Sequence, residues 1–446
     1  MQEIENGYAS GKAKRPRGPR SSSTAARLIR SLHFDLQARA VAYYLSCHVH
    51  ARTDVPNVSK PLPGCASPVL YNATDPIVEL ALSSMALATF SRTQRYPPAA
   101  AEASTKYHQL LRTLQDTIPT LAEANVETCL LVIFFLSRYE IMMHRPTQSF
   151  RHHEGATAVL KIWKERLSYC RPATEIIKHT RRGLIRSALL RTTGVPEWMM
   201  DGADFGERGL ELEYDSIIVR LANLRREVSV ALRKEHSGNV SSDELALRIE
   251  KLNGDARDID EALQGWVAEF PNAWSYRRHT ITDSQLFSGA HLYSPVVYIY
   301  EHPVYAGIWC QYFAARLLLN TTRLRINESA HLDIANELEE PVLMHNIKAM
   351  ADGLTATVPF LIRQFKACDV RNSTPWIPAE SITLHTNEQV RLDVVSLAIF
   401  PLAIASNLEP LDARQRSWFR TQIAAAGRLS GIQAFECPET WPWFKL

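Results

Sequence analysis

The chain lacks any apolar run long enough to cross a bilayer. Its longest apolar stretches, Cys129–Leu136 and the Pro401-interrupted Val394–Ala405, fall short of the about 18 residues a spanning helix requires. The first residues are polar and carry no apolar segment of the kind a secretory leader has. Cysteine is sparse: Cys47, Cys65, Cys129, Cys170, Cys310, Cys368 and Cys437 make seven, and no two lie closer than 18 positions. That spacing excludes a disulfide framework and a close-paired zinc module, and it suits a reducing intracellular compartment. Net charge is small as well, +3 over 446 residues, but unevenly spread. Residues 1–30 hold seven basic groups against two acidic ones, a local +5 that leaves −2 for the remaining 416. Charge-driven contact with phosphates therefore belongs to the tail.

Recognisable catalytic chemistry is missing too. Gly7-Tyr8-Ala9-Ser10-Gly11-Lys12 is one residue short of a phosphate-binding loop, and Ala13 stands where a hydroxyl is needed. Gly202, Gly206 and Gly209 have the wrong spacing for a dinucleotide fold. His153-Glu154 begins like a zinc-protease helix, but the second ligand position is Thr157, so His152 and His153 read as capping or packing residues. Cys47, His48, His50 and Cys65 are soft ligands in a short span, yet the first three share one helix end instead of bracketing a turn. They read as a buried thiol and two exposed imidazoles. No catalytic residue, cofactor or metal is expected, and the chain is not expected to be an enzyme.

What the sequence does contain is helical periodicity. A disordered basic tail is expected over 1–30, where Lys12, Lys14, Arg15, Arg17 and Arg20 alternate with prolines ahead of a serine run. Residues 31–446 read as one large all-α domain of layered antiparallel helical hairpins. A short helix is expected at about 34–50, followed by a Pro-rich connector from Pro56 to Pro68. Asp75-Pro76 reads as an N-cap with proline at the first helical position. Behind it Ile77, Leu80, Ala81, Ser84, Leu87 and Ala88 share a face. Tyr107, Leu110, Leu111, Leu114 and Ile118 repeat the pattern, and Val126–Met143 is apolar nearly all round, the mark of a buried helix. Further helices are predicted at about 152–168, along the stripe Ile217–Ala231, and at 303–326, 340–364, 389–406 and 411–430. The most regular pattern is the heptad seam Leu245, Ile249, Leu252, Ala256, Ile259, Leu263, Trp266 and Phe270, closed by Pro271. The short Ser237-Gly238-Asn239 loop before it, the small Gly254 and Ala256, and the bulky terminal aromatics favour packing inside the chain over pairing with a second one. No run of alternating strands is evident.

Several stretches together resemble the regulatory domain of fungal zinc-cluster transcription factors, the fungal-specific transcription factor domain, over roughly residues 30–435. The small-residue segment Ile77–Ala86 resembles its early alanine-rich helix, and Tyr107, Leu110, Leu111 and Leu114 follow in the family's order. His152-His153-Glu154-Gly155-Ala156 matches its His-x-x-Gly-Ala, and Leu252 through Trp266 to Pro271 resembles its long helix ending in tryptophan and proline. Trp309, Tyr312, Arg316, Leu317 and Asn320 fit its aromatic-arginine helix, although Cys310 and Phe313 stand where members often have Asn and Arg. Ala356–Phe360, Phe400–Ala405 and Trp418 with Gly431–Ala434 complete the set. The resemblance implies a nuclear, pathway-specific transcription regulator, of the kind that controls a secondary-metabolite gene cluster. It also implies contact with DNA, directly or through a partner, pairing with a second copy or another regulator, a small-molecule effector, and no membrane. Members that bind DNA carry six N-terminal cysteines holding two zincs; this sequence has no such cluster, so either that segment lies upstream of Met1 or a partner supplies it. The basic run Lys12, Lys14, Arg15, Arg17 and Arg20 is the candidate nuclear-localisation and phosphate-contact segment. A helical biosynthetic enzyme and a cytosolic scaffold are the competing readings.

Overall fold

The computed structural model describes residues 36–47, 75–143, 146–236, 242–281, 292–329, 334–362, 365–369, 380–384, 392–432 and 435. Among the described residues twelve α-helices carry the fold: α1 (36–47), α2 (Pro76–Thr93), α3 (Pro97–Ala124), α4 (Val126–Met142), α5 (Pro146–Ile162), α6 (Glu175–Arg191), α7 (Leu210–His236), α8 (Ser242–Ala268), α9 (Pro303–Ser329), α10 (Ile334–Leu361), α11 (Leu392–Ala405) and α12 (Ala413–Ser430). The architecture is all-α. No helix among the described residues is long and apolar enough to cross a membrane.

Local signals set the helix ends. Asp75 Oδ1 accepts from the Ile77 N–H at 3.0 Å with Pro76 at the first helical position, as its sequence predicts. Asn125 caps α4 through Thr128 N, and Asp412 caps α12 through the amides of Arg414 and Gln415. Gly431 closes α12 at φ 70°, in the left-handed region that favours glycine. Its carbonyl accepts from Arg92 Nε at 2.8 Å, which ties the last helix to α2 across 339 positions.

Neighbouring helices pack as hairpins, α2 on α3, α4 on α5 and α7 on α8. The central element is α9, buried along most of its length and packed against α7, α8, α10 and α11. The heptad seam lies inside the chain: Ile249, Leu252, Ala256, Ile259, Leu263 and Trp266 are all buried. Trp266 stacks on Tyr214 at 4.6 Å and donates its indole N–H to Leu210 O at 2.9 Å, so its polar end is satisfied within the chain.

Three expectations need correction. The helix predicted at about 152–168 begins six residues earlier, at Pro146, and ends in a π-turn over Trp163–Leu167, so His152 and His153 sit inside it and do not cap it. The structure adds α6, which no periodic stripe announced. Two antiparallel strand pairs are also present, β1 (Tyr276–Thr280) with β2 (Val296–Tyr300) and β3 (Phe365–Asp369) with β4 (Glu380–Leu384). Each strand has five residues, too few for an alternation to emerge from a polar segment such as Tyr-Arg-Arg-His-Thr. β3 also takes over just beyond the last turn predicted for the helix at 340–364, which ends at Leu361.

Candidate functional site

The predicted localisation residues Lys12, Lys14, Arg15, Arg17 and Arg20 lie outside the described residues, as do His48, His50 and Cys65. The residues of the family-like aromatic-arginine helix are brought together in the core. Arg316 makes a two-point ion pair with Asp260 of α8, at 2.7 and 3.0 Å, and donates to the Tyr312 hydroxyl. Asn320 donates to Arg316 O, and Trp309 donates its indole N–H to Trp274 O. The Arg316–Asp260 pair joins α9 to α8, and Trp309 ties α9 to the turn that follows α8.

His153 serves as a packing bridge. Its Nε2 lies 3.3 Å from Ser137 Oγ of α4 and its Nδ1 3.4 Å from Ser187 Oγ of α6. Burial, helped by Arg191 and His152, pulls the imidazole down to about 4. His179 of α6 packs edge-on to Phe134, and burial, with Arg138, Arg186 and Arg182 nearby, pulls it down to about 3. Both rings are therefore neutral near pH 7.

The α6–α7 connection is held by charge. Arg181, fully buried, donates to both carboxylate oxygens of Asp215 at 2.6 and 2.9 Å and to the carbonyls of Met199 and Met200. Its guanidinium also lies over the Phe205 ring at 4.9 Å. Next to it Arg182 pairs with Glu207 and with Glu211, the latter at 2.9 Å. Burial raises the Asp215 carboxyl even though Arg181 pulls the other way, the sign of a pair with a heavy desolvation cost.

The third polar centre differs in kind. A cavity of about 450 Å³ opens where the C-terminal end of α6 meets α7 and α9. Arg225 lines it and is only 4% exposed. Its two terminal nitrogens reach hydroxyls, Nη1 to Thr322 at 3.4 Å and Nη2 to Thr192 at 3.3 Å, while Nε meets no partner among the described residues. Burial disfavours the guanidinium's charged form, and among the described residues the neighbouring cation Arg325 adds its repulsion. Thr192 ends α6 in the left-handed region, φ 55°, an unusual place for a β-branched residue. Val228 and Leu232 form an apolar wall beside the guanidinium.

Sequence reasoning missed this centre. Arg225 follows Leu224 in the stripe Ile217, Leu221, Leu224, Val228, so a charge standing against an apolar helix face was the available signal. Thr192 and Thr322 are 33 and 97 positions away, and only the fold brings them in. Compared with known proteins, the chain matches no family model, no curated protein and no solved structure.

Proposed function

We propose that the chain is a nuclear transcription regulator acting on the genes of one pathway. Its helical body serves as the regulatory part and its basic N-terminal segment as the import signal. The supporting observation is where the family-like segments fall. Ile77–Ala86, Tyr107–Leu114, Leu252–Trp266 and Trp309–Asn320 fall in α2, α3, α8 and α9, helices that contribute heavily to one connected apolar core. A set of short resemblances in order gains weight when its members supply the core of a single body. In the sequence the excess positive charge is concentrated in residues 1–30. Contact with DNA, direct or through a partner, pairing with a second regulator and response to a small molecule belong to the same reading.

The test is nuclear distribution. Residues 1–30 fused to a fluorescent protein are expected to concentrate it in the nucleus. Replacing Lys12, Lys14, Arg15, Arg17 and Arg20 by Ala in the full chain is expected to release that chain to the cytosol. If neither protein changes its distribution, the import assignment is wrong.

A further inference from the structure

Three arginines are buried among the described residues, and two of them face carboxylates: Arg181 pairs with Asp215, Arg323 with Glu339. Among the described residues Arg225 has two hydroxyls at the long limit of hydrogen bonding, and its Nε–H meets no acceptor there. A buried guanidinium without a counter-ion is costly, and among the described residues Arg225 meets none, beside a cavity of small-molecule size. The hydroxyls are arranged to leave it a role. Thr322 spends its proton on Leu318 O at 2.8 Å and can only accept from Arg225, whereas no described carbonyl takes the Thr192 proton.

We propose that this cavity binds a small organic acid, its carboxylate seated on the Arg225 guanidinium beside the Thr192 hydroxyl and its apolar body lying on Val228 and Leu232. A guanidinium edge offers two parallel N–H donors that match the two oxygens of a planar carboxylate. The apolar wall gives an inorganic oxyanion nothing, so the site selects an acid with a short hydrocarbon portion. Arg325 and the exposed Arg233 add positive field around the cavity and draw an anion in. The inference stands on the cavity alone and does not need the transcriptional role.

Thermal unfolding and calorimetry of the full chain test it, with butyrate, hexanoate, octanoate and benzoate as probes. The corresponding amides, inorganic phosphate and sodium chloride at equal ionic strength are the controls. At least one carboxylate is expected to raise Tm and bind, and its amide to do neither. Arg225→Met is expected to stay folded, to match or exceed the wild-type Tm without ligand, and to bind at least about tenfold more weakly. Ser229→Asp sets a carboxylate one helical turn from Arg225, so it is expected to raise Tm without ligand and to abolish carboxylate binding. Three results would overturn the proposal: no carboxylate shifting Tm beyond the chloride control, phosphate binding as well as the best organic acid, or Arg225→Met unfolding the chain.

Discussion

Arg181 and Asp215, 34 positions apart, meet as a buried two-point ion pair that joins α6 to α7 and holds the loop between them through the carbonyls of Met199 and Met200. Removing one partner leaves the other charge uncompensated in the interior. Arg181→Met is therefore expected to cost about 3–5 kcal/mol, whereas Arg181→Met with Asp215→Leu recovers most of that loss. Urea unfolding of the two variants checks it. Equal destabilisation in both would mean that the loop contacts, and not the charges, carry the joint.

Two helical glycines are expected to respond to alanine with opposite signs. A Cβ on Gly254 of α8 meets no atom within 4 Å, so Gly254→Ala should gain roughly 0.5–1 kcal/mol from helix propensity. A Cβ on Gly353 of α10 would stand 2.8 Å from the Phe313 ring of α9, so Gly353→Ala should lose roughly 1–3 kcal/mol through overpacking. Melting curves of both variants decide the matter.

The imidazoles set an acid dependence. Ordinary histidine titrates near 6.5, while folded His153 and His179 hold out to about 4 and about 3. Below about pH 6.5 the unfolded chain takes up protons that the folded one refuses, so stability present above that value is lost as pH falls toward 4. Both rings are half-buried, and between about pH 6.5 and about pH 5 the combined loss is expected to be roughly 1–2 kcal/mol. Denaturant midpoints across that window check the sign, and a His153→Gln, His179→Gln double variant should flatten the slope.

Leu252 lies in the middle of the buried seam, 2% exposed. Leu252→Asp would bury an unpaired charge and is expected to cost several kcal/mol, of order 3 or more. Sedimentation with thermal melting checks it. A well-folded monomer from a dimeric wild type would show that the seam joins two chains.

What could be read in advance follows from how each element stores its information. The seam of α8 and the Asp75-Pro76 start of α2 are local, and both are found where the residues indicate. α6 was not legible because its buried face mixes Ile177 and Ile185 with Arg181, and Lys178 and Arg182 crowd the same turns. An arginine that completes an apolar stripe reads as solvent-facing until its carboxylate, on another helix, is known. The Arg225 cavity was hidden for the same reason, and its two hydroxyl partners come from separate helices.

The central claim, regulation of transcription in the nucleus, is tested most directly by mapping where the tagged full-length chain crosslinks to chromatin in its native cell. The account predicts enrichment at a limited set of promoters, with the transcripts of those genes changing together when the protein is removed. A chromatin profile indistinguishable from an untagged control, with those transcripts unmoved, would contradict it.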